Sequence, residues 1–287
     1  MQAAVRSHSG RAQVGSVVIY GVVAIFTFLC IVPFWYVLVS SFSQNGGFWI
    51  DEFTLDGYRY IFSTQTLPRS LINTTYITVL GTLLKLLVTS LMAYALAETS
   101  LPGRKLILNM VIFTMLFGSG MIPTYLLVTN LGLYNSRWVM IIPSLLSTYN
   151  VMVCRSAFSG IPEEVIESAE IDGSNDFQTF FRIAVRLITP TLAVLTLYYA
   201  VAHWNDFFTA LLYISDESLM PMQVLLRRVL IQSSSELIGN MVTDDKAAAS
   251  IQIRYVTIVV ATLPILVIYP LLQRYFVKGV MLGAVKG

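Results

Sequence analysis

Between Ile161 and Pro190 the chain carries six carboxylates, Glu163, Glu164, Glu167, Glu170, Asp172 and Asp176, in fourteen residues that hold no base. The chemistry this density offers is recognition: a docking surface for a protein with a basic-rimmed groove. Against anionic lipid, an interfacial helix should be basic rather than acidic. A second set is "AHWNDFFTALLY", with His203, Trp204, Asn205, Asp206 and Phe208 in one apolar run. Aromatic faces beside planar polar groups are what sugar recognition uses, so part of this run could line a translocation path or gate. An aromatic belt with interhelical hydrogen bonds is the alternative, and His203 by itself reads as a packed histidine. Tyr149 and Asn150 form a second polar–aromatic pair. Lys85 stands near the middle of another apolar run, where an ion pair, a backbone contact or a substrate role are all open.

Metalloprotease and serine-hydrolase signatures are missing, and the only histidines are His8 and His203. No phosphate-binding Gly-x-x-x-x-Gly-Lys-Ser/Thr loop occurs, so the chain should not hydrolyse ATP by itself. A net charge of +2 gives no case for nucleic acid. Cys30 and Cys154 lie in different apolar runs and suggest packed thiols, with no metal site.

The elements that must position these groups are membrane spans. The chain is 56% hydrophobic and only 12% charged, with a mean hydropathy of +0.71. No charged residue occurs between Arg11 and Asp51. Six runs are long enough to cross a bilayer, at about 15–40, 71–96, 106–128, 138–158, 187–214 and 255–275. They leave a polar N-terminus (1–14), the acidic loop (160–186), a long loop at 215–254 and a tail at 281–287. The first run is too long for a signal-peptide core and reads as a retained helix. Six spans put both termini on one side. With the N-terminus in the cytoplasm, Arg6, Arg11, Arg104, Lys105, Arg155, Arg182, Arg186, Arg274, Lys278 and Lys286 lie inside. Arg59, Arg69, Arg137, Arg227, Arg228, Lys246 and Arg254 then lie outside, a bias that favours this orientation.

The acidic loop is then cytoplasmic, and its spacing is helical. Ile166, Ala169, Gly173, Phe177 and Phe180 recur every three or four residues as an apolar stripe, with small residues that admit a close backbone. Pro162 and the two acids after it suit a helix N-terminus. "MPMQVLLRRVLIQ" in the long outer loop suggests a short amphipathic helix. The loop at Ser41–Arg69 offers a second outer docking surface.

These residues resemble a known family. "ESAEIDGSNDFQTFFRIAV" is similar to the EAA loop of ABC importer permeases, matched at Glu167, Ala169, Asp172, Gly173 and Ile183. Ser168 stands for the middle alanine. Val185-Arg186 stands for the usual Leu-Pro, which bears on the bend entering the fifth span and leaves Pro190 to supply a later kink. "NTTYITVLGTLLKLLVTSLMAYALA", the third and fourth runs and "RYFVKGVMLGAVKG" extend the resemblance over nearly the whole chain. It points to carbohydrate permeases of the maltose-importer MalG type, on the branch serving polysaccharide and oligosaccharide uptake, including alginate and pectin fragments.

The resemblance implies an all-α, six-helix, type I ABC importer permease in a bacterial cytoplasmic membrane, working by alternating access. Its implied partners are a second homologous permease, two cytosolic ATPase subunits and an extracytoplasmic sugar-binding protein. ATP and Mg²⁺ would act in those partners, with no cofactor on this chain. Glu163, Glu164, Glu167, Ala169, Glu170, Asp172, Gly173, Phe177 and Ile183 would form the coupling surface for an ATPase subunit, and Lys278–Gly287 a regulatory or docking tail. An ion-coupled secondary transporter is the rival reading. It would want intramembrane carboxylates and inverted repeats, yet Asp206 is the one clear acid and no repeat is evident.

Overall fold

In the computed structural model, long apolar runs with few charges fold as long helices, because in a bilayer only a helix satisfies its own backbone. The structure describes residues 2–239 and 251–270, with side chains at 16–231 and 251–270. Helix α1 (Gln2–Ser41) includes the span Ser16–Ser41, whose most apolar window has no residue buried within the chain. Helix α2 (Asp56–Ser63) lies in the loop between the first two spans. Helix α3 (Thr66–Ala97) is the central span.

The third and fourth runs depart from straight spans. The third folds as α4 (Arg104–Leu116) and α5 (Met121–Asn130), bent by 117°. Gly120 in the break has φ +80°, a conformation that costs a residue with a Cβ. The fourth begins as a 3₁₀ turn, Arg137–Met140, passes through irregular chain around Pro143, and ends as α6 (Thr148–Phe158). Proline removes a backbone donor and disfavours helix at the residue before it, which is why one continuous helix does not form here. The 11 residues of α6 are too short to span a bilayer alone.

The acidic loop holds α7 (Glu163–Ile171). Helix α8 (Asp176–Leu187) contains a π-helical turn at Thr179–Ala184 and meets α9 (Thr189–Asn205) at an 83° bend. That break falls just before Pro190, so the proline stands in the first turn of α9, where its missing N–H costs nothing. Helix α10 (Phe208–Tyr213) follows, then α11 (Met222–Gly239), which contains the amphipathic segment expected in the long outer loop. The last span is α12 (Ile251–Pro270). Residues 240–250 and 271–287, which hold Lys246, the end of the sixth run with Arg274, and the tail, lie outside the described residues.

The chain forms two compact units. One comprises the described residues of Met1–Ser63 and Arg228–Val260. Within it, the Gln252 amide ties three segments together. Gly57 N donates to its Oε1 (3.1 Å), while its Nε2 donates to Ser41 O (3.3 Å) and Thr54 O (3.1 Å). The other unit comprises the described residues of Thr64–Arg227 and Ala261–Gly287. It has two apolar clusters: one around Ile77, Val139, Ile141 and Tyr213, the other around Ala93, Cys154, Phe158, Phe180 and Leu195. Its short connections are closed by local bonds. Glu98 accepts from Ser100 N (3.0 Å) and Asp216 from Ser218 N (2.8 Å), and these bonds hold both carboxyls below their ordinary range. Arg104 and Arg155 each donate Nε–H to Leu96 O at 2.9 Å, so two guanidinium groups meet at the C-terminal, negative end of α3.

Candidate functional site

Two surfaces can be built from the residues upward, and both lie in the second unit. The first is α7. Glu163 and Glu164 occupy its first turn, where negative charge complements the helix dipole. Its end is a Schellman motif: Gly173 N donates to Glu170 O and Ser174 N to Ala169 O, both at 2.9 Å, with Gly173 at φ +82°. The expected stripe is therefore cut at Gly173 and does not continue along one helix to Phe180. A new start follows, where Asn175 and Gln178 cap each other reciprocally at α8.

This turn sorts the residues. Ala169 and Phe180 face inward, Phe180 beside Tyr94 and Phe158. Glu163, Glu164, Glu167, Glu170, Asp172, Asp176 and Gly173 are exposed, and Ile183 is half-buried. Ile171, at 85% exposure, and Phe177, at 70%, stand among the acids. A Cβ added at Gly173 would meet nothing within 4 Å, so the space over it is open. Ile171 was not singled out in the sequence; the Asp172-Gly173 pair that stops the helix is the signal that would have freed it from the stripe.

The second surface is a seam between α3 and α9. On α3, Thr78, Thr82, Lys85 and Thr89 follow a four-three-four spacing and are all buried. Facing them are Tyr199 and His203, one turn apart on α9 and also buried. The Lys85 ammonium lies over the Tyr199 ring, 5.5 Å from its centroid. Thr89 and Tyr199 share a hydroxyl hydrogen bond of 2.7 Å, and Asn150 of α6 borders the same phenol. His203 packs its imidazole onto Gly81, where any Cβ would collide with it. The threonine stripe was visible in the spacing but hidden by the apolar residues between its members.

The remaining candidates separate by exposure. Trp204 is 5% exposed and donates Nε1–H to Ala261 O (3.0 Å), so it is a packing anchor for α12 and does not face an open path within this chain. Asn205 is exposed and donates to Val201 O (3.0 Å). Asp206, two residues ahead of α10, accepts from Thr209 N (3.1 Å). Phe208 and Tyr149 are exposed rings, whereas Asn150 is buried. The run 203–208 thus faces several ways rather than forming one lining. Among the described residues no cluster could hold a metal ion. Cys154 is buried and Cys30 exposed, each a free thiol.

Comparison with known proteins places these surfaces in context. Residues 3–282 match the family model described as "Binding-protein-dependent transport system inner membrane component". The chain is 41% identical over 283 residues to the polygalacturonan/rhamnogalacturonan transport system permease protein YtcP of Bacillus subtilis, covering 94% of this chain and 97% of that one. It is 44% identical over 266 residues to Protein LplC of the same organism, covering 90% of each. A bacterial ABC transporter involved in import of the acidic polysaccharide alginate includes a chain that superposes with TM-score 0.80. It is 27% identical, and the match covers 92% of this chain and 97% of that one.

Proposed function

The chain belongs to the family of inner membrane components of binding-protein-dependent transport systems, and from that premise we propose how it works. It is the permease subunit of a carbohydrate ABC importer, with the type I permease fold. Its cargo is an oligosaccharide, and the acidic polymers named for its relatives make uronate-bearing fragments the first candidates.

The observation that carries the mechanism is the exposed acidic helix α7 with its open Gly173 turn. In our reading it is the coupling helix, seated in a groove of a cytosolic ATPase subunit. Its carboxylates meet basic residues at the rim, while Ile171 and Phe177 supply apolar contact where affinity concentrates. ATP-driven closure of the ATPase pair then moves α7, and the tight Schellman turn passes that motion to α8 as a rigid body. The π turn and the 83° break at Ile188 lie directly in this line, and α9 carries the motion to the seam with α3. A second permease completes the cavity, and an extracytoplasmic binding protein delivers the sugar. No step of this cycle asks for bond chemistry from this chain.

The test is co-purification from native membranes. Wild type should bring down an ATPase and a second permease. Gly173→Arg, which fills the open space over the turn, should lose the ATPase and keep the permease. Gly173→Asn tolerates the left-handed backbone and adds little bulk, so it should retain most of the ATPase. Equal loss in both variants would assign the effect to backbone strain instead of blocked docking. Wild type emerging without any ATPase would overturn the coupling reading.

A further inference from the structure

The seam between α3 and α9 holds more polar chemistry than packing requires. Lys85 is a cation in the middle of a span, and placing one there is costly unless something compensates it. Among the described residues no carboxylate lies within ion-pair distance of it; the field of Asp206 reaches it only from farther away. Thr82 Oγ1, one turn from it on α3, and His203 Nε2 across the seam are buried and make no hydrogen bond within the described residues, and the same holds for Thr78 Oγ1 a further turn along α3. Buried polar atoms in folded proteins are almost always satisfied, so three unpartnered ones along the seam that holds this cation call for an explanation. Apolar packing bounds the seam along α3, with Ile77 on one side and Ala93 on the other.

We propose that Lys85, with Thr82 and His203 beside it, is a subsite that binds the carboxylate and neighbouring hydroxyls of an acidic sugar as it crosses the membrane. The proposal rests on the reading of the chain as an oligosaccharide permease and names the substrate feature its seam selects. A uronate supplies what the seam lacks: one negative charge for the ammonium, and hydroxyls that both donate and accept for threonine and histidine. A neutral sugar would satisfy the hydroxyls and leave the charge uncompensated. In the closed seam the ammonium rests over Tyr199, and its flexible four-carbon stem lets it swing out when α3 and α9 part. Asn150 borders the seam at the Tyr199 phenol, and the ring of Tyr149, the preceding residue of α6, is exposed.

The experiment uses the complete transporter in proteoliposomes, with its binding protein in saturating excess. Uptake of trigalacturonate is compared with uptake of its methyl ester, for wild type, Lys85→Met and Lys85→Arg, with co-purification of partners as the check on assembly. The expected result is that Lys85→Met lowers the ratio of acid to ester uptake by about tenfold, as fits the loss of one charged hydrogen bond, and that Lys85→Arg restores most of it. A proportionate fall for both sugars, leaving the ratio unchanged, would make Lys85 structural and overturn the proposal. So would loss of assembly in both variants. Wild type that imports the ester and excludes the acid overturns the subsite while leaving the oligosaccharide reading intact. Wild type that imports neither sinks both.

Discussion

A single side chain shows how chemistry in a sequence can be claimed by packing. Trp204 has the face and the N–H donor of a sugar-binding residue, yet the structure spends both inside the protein, the ring buried and the N–H on Ala261 O. Trp204→Phe keeps most of the buried area and removes the hydrogen bond, so it should cost about 1 kcal/mol. Trp204→Ala also opens a cavity and should cost roughly 3–5 kcal/mol. Thermal unfolding of the purified permease in detergent should rank wild type, phenylalanine and alanine in that order. If alanine unfolds with wild type and only transport falls, the indole belongs to the path after all. Gly173 shows the reverse case. A small residue chosen for close approach also supplies the one backbone conformation that stops α7 there.

Between elements, the determining contact is the crossing of α3 and α9, where glycine and imidazole interlock. A Cβ at Gly81 would collide with His203 Nε2 and stand 2.8 and 2.9 Å from two other ring atoms. Gly81→Ala should therefore destabilise by about 1–3 kcal/mol, the usual cost of overpacking a filled contact. Adding His203→Ala removes the obstacle, so the double variant should be more stable than the sum of the singles allows. Apparent melting temperatures of the four proteins would close the cycle, and strict additivity would mean that the helices separate without strain. This contact was not legible in the sequence. His203 by itself reads as a packed histidine, but nothing in the spacing names Gly81, one small residue in an apolar run, as what it packs on. The acidic helix, by contrast, could be read directly, because its Pro162 start, charge density and spacing act locally. Its end could not be placed from the stripe, since Ala169 and Phe180 keep the apolar period on both sides of a turn that breaks the helix. The fifth run's kink was legible in Pro190, although the break falls just before the proline, where helix geometry fails first.

For the whole molecule the open variable is how often the chain crosses the bilayer. Helices α1, α3 and α12 are long and apolar enough to cross alone, while α4–α5 and α8–α9 are bent pairs, each readable as a broken span or a re-entrant loop. Six crossings require α4–α5 to pass outward and the broken segment from Arg137 to Phe158 to return. If neither crosses, a cytoplasmic N-terminus still puts Glu167 on the cytoplasmic side, because α1 and α3 together return the chain there. The acidic helix is thus a poor reporter of this question, and Leu131, exposed at the end of α5, is a good one. Single cysteines at Trp49, Leu131 and Glu167, in a chain whose Cys30 and Cys154 are replaced, can be labelled with a membrane-impermeant maleimide in right-side-out and inside-out vesicles. Six spans with cytoplasmic termini predict labelling of positions 49 and 131 from outside only and of 167 from inside only. Labelling of 131 and 167 together from inside would make α4–α5 re-entrant. Reversal at all three positions would invert the molecule and remove the acidic helix from any cytosolic ATPase.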